Sequence, residues 1–304
     1  MKACDAFAGA GGLSLGAIEA GVDVVWAANH WPLAVETHKA NHPNVEHLCQ
    51  DLHQADWTRL PAHDLFLASP ACTGHTPARG KERPHHDAAR STAWAVVSAL
   101  ECHLPSFAVI ENVPAFTRWR LFPAWAAAVT ALGYAISPHL IDAADHGVPQ
   151  HRARVFILLT KSKHPLVLDL PKRDYVSAAS LINFEEGDWS LIAKPGRARA
   201  TLERVAHGRR RFGDRFIAPY YRSGSGTTGR SIDRPIGTIT TRDRWAVIDG
   251  DRMRMLSVPE AKRAMSFPQW YRLPPKHADA MMMLGNAVCP TVACDVIEAL
   301  QNAA

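Results

Sequence analysis

The 304-residue sequence has no pair of cysteines at CxxC spacing, no internal repeat, and no apolar run near the ~18 residues of a membrane span. Its six cysteines, at 4, 49, 72, 102, 289 and 294, are scattered. That argues against a disulfide scaffold and for free thiols in a reducing compartment. The opening MKACDAFAGAGG lacks the charged-then-apolar layout of a secretion signal. The expectation is a cytoplasmic protein with no membrane partner. Sixteen histidines are present, but none has a carboxylate or thiol at zinc spacing. His38, His42 and His47, and the pair His85-His86, come nearest to clusters, and no metal is expected. The glycine-rich run after the first strand-like stretch, residues 9–12, is not a clean GxGxxG, which disfavours a phosphate-gripping dinucleotide loop there.

What is present is a large core and a regular alternation. Apolar residues make up 47% of the chain, enough for one large domain plus a smaller one. Strand-like runs at Lys2–Phe7, Val22–Ala28, Leu65–Ala68, Phe107–Ile110 and Arg154–Leu159 alternate with helix-like runs at Leu13–Ala20, Leu33–Ala40, Thr92–Cys102 and Phe122–Leu132. This predicts an α/β domain with a parallel sheet covered on both faces, and ligands beyond the carboxyl ends of its strands. After about Thr160 the texture turns to proline, arginine and glycine. The expected division is a catalytic cofactor-binding domain over 1–175, a small basic domain over 176–250, and a return segment over 251–304 that ends in a helix.

Charge singles out the middle part. Between Lys194 and Arg230 stand ten basic residues against Glu203 and Asp214, a surplus of eight. The whole chain carries +5, so the remainder is mildly acidic. An arginine-rich segment on an acidic body suggests a polyanion such as nucleic acid, since guanidinium forks onto phosphate.

Four stretches carry chemistry. In DAFAGAGGLSLG (5–16) a strand runs through glycines into a helix, which permits close backbone approach to a nucleoside-type cofactor. The second strand ends in Ala28-Asn29-His30-Trp31 with no acid to hold ribose; Trp31 could cover an adenine and Asp51 could bind its amino group. In SPACTG (69–74) a thiol, Cys72, follows a strand in a bend of Ser, Pro and Gly. Glu111 of Glu111-Asn112-Val113 ends another apolar strand, where partial desolvation suits a general acid. In Gln150-His151-Arg152-Ala153-Arg154, alternation would put Gln150, Arg152 and Arg154 on one face of an entering strand. A thiolate, a protonatable carboxylate and a guanidinium on one rim suit attack on an electron-poor heterocycle.

Together these residues resemble the DNA (cytosine-5)-methyltransferase family over nearly the whole chain. DAFAGAGG is similar to the family's cofactor motif, SPACT to its Pro-Cys-Gln loop, and ENV to its Glu-Asn-Val triplet. QHRAR is similar to its Gln-x-Arg-x-Arg motif, RPIGTITTRD (234–243) to the motif closing the recognition domain, and GNAVCP (285–290) to the last motif. The resemblance implies a Rossmann-like methyltransferase domain with a small recognition domain, S-adenosylmethionine as cofactor and double-stranded DNA as partner, with the cytosine flipped out. It implies that Cys72 attacks carbon 6, Glu111 protonates or hydrogen-bonds N3, Arg154 holds the base carbonyl, and Arg152 supports the pocket or a phosphate. Phe7, Ala8, Gly9, Ala10, Gly11, Gly12, His30, Trp31, Asp51, Leu52, Pro70, Asn286 and Val288 would line the cofactor. Thr73, Arg209, Arg210, Arg211 and Arg242 would touch DNA.

The chain departs from the family at Ala71, where proline is usual, at Thr73, where glutamine is usual, and at His30, where glutamate is usual. The region between QHRAR and RPIGTITT is short, so low sequence specificity or a homodimer would compensate. A duplex-binding relative without turnover, and a methyltransferase of the same fold acting on RNA, are the alternatives.

Overall fold

The structure, a computed structural model, describes residues 1–71, 84–220 and 229–303, and for 84–89 the helical backbone alone. Cys72 and Thr73 lie outside the described residues. The chain forms two compact units. The first comprises 1–142, 153–171 and 287–304; the second comprises 143–152 and 172–286.

The first unit is built on a seven-stranded sheet: β1 (Lys2–Ala6), β2 (Asp23–Asn29), β3 (Glu46–Cys49), β4 (Leu65–Ala68), β5 (Phe107–Asn112), β6 (Ala135–Asp142) and β7 (Ala153–Thr160). Their order is β3-β2-β1-β4-β5-β7-β6. β1 to β5 run parallel, as their continuous apolar runs require when both faces are covered. β7 is the exception and pairs antiparallel with both β5 and β6. The chain leaves β1 toward β2 on one side, while β4 pairs on the other, so the carboxyl ends of β1 and β4 form the topological switch point where ligands bind in such sheets.

Among the described residues five α-helices belong to this unit: α1 (Gly12–Glu19), α2 (Pro32–Asn41), α3 (Pro84–His103), α4 (Phe122–Ala131) and, near the C-terminus, Pro290–Ala303. Proline opens α2 and the C-terminal helix, where its missing N–H is not needed. Phe116, Trp119, Phe122 and Trp125 make an aromatic cluster, with Trp125 Nε1 donating to the Ala93 carbonyl at 2.9 Å. Such a ring buries a large apolar area while its one polar atom stays satisfied.

The second unit carries four antiparallel strands, β8 (Ser190–Leu191), β9 (Arg215–Pro219), β10 (Trp245–Asp249) and β11 (Arg252–Met255), ordered β8-β11-β10-β9. Helix α5 (Arg199–Phe212) covers it, and Ile192, Val205, Phe216, Ala218, Ala246, Ile248 and Met253 form its core. Helices α6 (Val258–Ala264) and α7 (His277–Asn286) follow, which makes the C-terminal helix α8. A Ser257/Glu260 capping box starts α6. Among the described residues, one helical stretch, His277–Ala303, is long and apolar enough by composition to cross a membrane. Of its apolar window, 72% is buried inside the protein, as in a core helix.

Candidate active site

The loop after β1 turns because its backbone enters the left-handed region three times, at Phe7 (φ 60°), Gly9 (φ 56°) and Gly11 (φ 84°). Glycine does this freely and phenylalanine does not, so Phe7 holds a strained conformation. Ala8 N donates to Ala28 O at 3.0 Å and Gly11 N to Ala8 O at 2.8 Å, which fixes the loop against the end of β2. Gly12 then begins α1 with no room to spare. A Cβ there would stand 2.1 Å from the Val288 carbonyl oxygen. The last sequence motif thus returns to the first through Val288, which is buried. Asn286 is exposed and belongs to the second unit.

Beside this loop lies a shallow, open crevice lined by Ala8, Gly9, Ala27, Ala28, Asn29, Ala34, Val35, His38 and His47. Further residues of the expected cofactor set follow β2, β3 and β4 in the chain. Trp31 is half-buried at the start of α2, its N–H donating to Asn29 Oδ1 at 3.0 Å. His30 is exposed. Asp51 caps the short turn 52–54, and hydrogen bonds from the His53 side chain and N–H hold its carboxyl below the usual range. Leu52 and Pro70 are buried. A glycine turn without room for a side chain, an aromatic ring and an acid at successive strand ends fit an adenosine-type cofactor.

On the other side of the switch point the carboxyl ends of β4 and β5 meet. Asn112 Nδ2 donates to the Pro70 carbonyl at 3.0 Å and its Oδ1 accepts from Val113 N at 2.9 Å. Ala71 N donates to Thr92 Oγ1 at 3.0 Å. These bonds fix the last described residues before Cys72. Glu111, 6% exposed, pairs with Arg154: Arg154 Nε lies 3.2 Å from Glu111 Oε1. Two residues of distant sequence meet because β7 runs antiparallel to β5, so the amino end of β7 reaches the carboxyl rim.

Two sequence expectations need correction. Gln150, Arg152 and Arg154 do not share a strand face, because β7 begins only at Ala153. Gln150 and Arg152 instead lie buried in the second unit. There Arg152 donates to the carbonyls of Ile239 (3.0 Å) and Gly285 (2.9 Å), and Gln150 donates to Ala264 O and accepts from Ile239 N. The QHRAR, RPIGTITT and GNAV motifs are thereby stitched through main-chain atoms. The sequence also leads one to expect Cys4, Cys49, Cys102, Cys289 and Cys294 to be core thiols, but Cys49 and Cys102 are exposed.

The basic segment is largely spent on its own unit. Arg209 donates to Gly250 O and to Asp251 Oδ1 (3.0 Å), and lies 3.5 Å from Asp214. Arg215 shares Asp249 with Arg252, which lies beyond the segment, as does Arg254, which grips buried Glu260 through two bonds of 2.6 and 2.7 Å. Arg210, Arg211 and Arg242 are exposed. Sequence reading missed Asn112, and with it a hydrogen-bond series through Asp5, Ser14, His38 and His47. The middle position of the ENV triplet was the available signal for Asn112. Among the described residues no group of three His, Cys, Asp or Glu could hold a metal ion.

Residues 1–194 and 183–302 match the profile of the family described as C-5 cytosine-specific DNA methylase. The chain is 26% identical over 313 residues to the Type II methyltransferase M.NlaX of Neisseria lactamica, covering 100% of this chain and 97% of that protein. It is 28% identical over 324 residues to the Type II methyltransferase M1.HphI of Haemophilus parahaemolyticus, covering 97% and 85%. Among solved structures it is similar to a DNA modification methyltransferase encoded within an E. coli prophage, with a TM-score of 0.73, 21% identity and coverage of 100% and 99%. It is also similar to S. pombe Dnmt2, with a TM-score of 0.72, 16% identity and coverage of 99% and 98%. At these identities the structural likeness establishes the fold.

Proposed function

Because the chain belongs to the C-5 cytosine-specific DNA methylase family, and so methylates carbon 5 of cytosine in DNA, we propose how its own residues carry out that reaction. The observation that carries the proposal is the pairing of buried Glu111 with half-buried Arg154 beside the anchored start of the thiol loop. S-adenosylmethionine, when bound, supplies the methyl group. The Gly9–Gly12 turn, Trp31 and Asp51 would hold it, with Phe7, Leu52, Pro70 and Val288 as the apolar residues around them.

The Cys72 thiolate adds to carbon 6 of a cytosine flipped out of duplex DNA. Glu111, paired with Arg154 as a carboxylate before the base enters, takes up a proton with the base and gives it to N3, so no full negative charge builds on the ring. Arg154 holds Glu111 in place and binds the base carbonyl. Carbon 5, made nucleophilic, takes the methyl group. A base then removes the carbon-5 proton, the 5,6 double bond re-forms, the thiolate leaves, and N3 returns its proton to Glu111. Arg152 acts at one remove, holding the chain before β7 to the motifs around Ile239 and Gly285. Arg210, Arg211 and Arg242 provide phosphate contacts from the recognition segment, 176–250. The enzyme works in the cytoplasm on double-stranded DNA, and a homodimer enlarges its small DNA contact.

Covalent trapping tests this reading. The wild-type protein should form a denaturation-resistant adduct with duplex DNA containing 5-fluorocytosine, and Cys72→Ser should not. An adduct on RNA alone would move the substrate to RNA. Duplex binding without any adduct would make the chain a binding protein.

A further inference from the structure

Four polar side chains make a continuous hydrogen-bond series under the glycine-rich loop. Asp5, at the heart of β1, is fully buried, and its Oδ2 accepts from Ser14 Oγ at 2.6 Å. Ser14 stands on α1 and is equally buried, so it is no nucleophile. His38 Nε2, on α2, lies 3.0 Å from Ser14 Oγ, and His38 Nδ1 lies 2.8 Å from His47 Nε2 on β3. His38 is 1% exposed, whereas His47 is half-buried.

The Asp5–Ser14 bond joins the strand before the loop to the helix after it. It closes the strained turn 7–11 like a clasp. A serine hydroxyl has one proton. When that proton points to the Asp5 carboxylate, Ser14 Oγ must accept from His38 Nε2–H, and bare His38 Nδ1 must accept from His47 Nε2–H. Every donor then points toward Asp5. When Asp5 holds a proton, each bond can turn round, and the last ring to change is His47, the one nearest solvent. The series is a wire with two polarities.

Its surroundings keep the other groups silent near neutrality. Burial, then His42 and His47, holds His38 well below the usual histidine range. Burial pushes His42 down to about 4, and burial followed by Lys39 lowers His47. Burial, then Asp5 and Glu46, pushes the neighbouring Cys4 thiol up to about 12. Asp5 is the group left to change: burial raises it to about 7, against the hydrogen bonds from Ser14. Its Oδ1 has no hydrogen-bond partner among the described residues.

We infer that Asp5, Ser14, His38 and His47 form a proton wire that clasps the cofactor loop, with His38 and His47 as positioning residues that make cofactor affinity depend on pH. The inference rests on the reading of the 7–12 loop as the cofactor loop. The crevice supports the link, because His38 and His47 share its wall with Ala8 and Gly9. Ionised Asp5 makes the charge-assisted, stronger clasp. The loop is then best ordered, and affinity rises with pH through the Asp5 transition and levels off above it. The gain is about tenfold for each unit by which binding lowers the Asp5 pKa.

The test is calorimetric titration with S-adenosylhomocysteine, the product form that cannot react, from pH 6 to 8.5. Two buffers of different ionisation heat report protons released. Wild-type affinity should rise several-fold with one inflection near neutrality, with proton release at pH 6.5 that fades by pH 8.5. Asp5→Asn should bind with little pH dependence. His38→Leu should move the inflection upward, and His38→Gln should restore part of it. A wild-type profile flat across this range, with binding intact, would overturn the inference, and that result needs no variant to fold. Absence of binding at every pH by a folded protein would instead overturn the cofactor reading.

Discussion

Replacing Glu111 with glutamine separates chemistry from folding. The side chain is nearly isosteric and 6% exposed, and it faces Arg154 Nε at 3.2 Å. Removing one charge of a buried pair costs about 3–5 kcal/mol. The amide oxygen can still accept from Arg154, whose Nη1 also donates to Ala153 O at 2.8 Å, so the lower end applies. About 3 kcal/mol corresponds to roughly 5 °C in Tm for a chain of this length. The effect on turnover is larger, because a lost general acid costs roughly 10²–10⁴-fold. The control is Glu260→Gln. Glu260 is as buried, grips Arg254 more tightly, and also accepts from Ser257 N and Asn183 N. It should lose at least as many degrees with kcat unchanged. Differential scanning calorimetry and methyl transfer to duplex DNA, measured on both variants, decide the matter. Glu111→Gln melting lower but turning over within tenfold of wild type would refute the assignment and make the pair structural.

Further expectations concern binding, DNA and acid stability. Gly12→Ala should abolish S-adenosylhomocysteine binding in calorimetry, since its Cβ would meet the Val288 carbonyl at 2.1 Å and the loop must move. Arg210→Ala with Arg211→Ala should lower the salt slope of duplex binding by about 2 and leave Tm unchanged, whereas Arg209→Ala should lower Tm. Burial alone would raise the Glu260 carboxyl, but the hydrogen bonds from Arg254, Ser257 N and Asn183 N outweigh it and hold it below its ordinary 4.5. A depressed carboxyl stabilises the fold above its unfolded value and loses that contribution as pH falls through the folded one. Tm should therefore drop on acidification below about pH 4.5, and the drop should shrink in Glu260→Gln.

The parallel strands were legible because burial on both faces leaves unbroken apolar runs, as in Leu65–Ala68. β3 and β6 were not, because edge strands tolerate polar residues and proline: Glu46–Cys49 is mostly exposed and Ala135–Asp142 contains Pro138. The rim of Glu111 and Arg154 was visible as residue types, but its assembly depends on β7 running antiparallel, which no local pattern announces. The basic segment shows the limit of counting charge. Arg209 finds Asp251 forty-two positions away, and only pairing across the fold separates it from Arg210 and Arg211. The buried series from Asp5 to His47 was illegible for the same reason, since its members come from two strands and two helices.

The central claim is methylation of carbon 5 of cytosine in DNA through Cys72 and Glu111, and bisulfite mapping tests it most directly. Unmethylated plasmid is incubated with the purified protein and S-adenosylmethionine, with Cys72→Ser and Glu111→Gln alongside. Wild type should protect cytosines within one recurring sequence, and both variants should leave those cytosines convertible. A folded wild-type protein that binds the plasmid yet protects no cytosine would contradict the account.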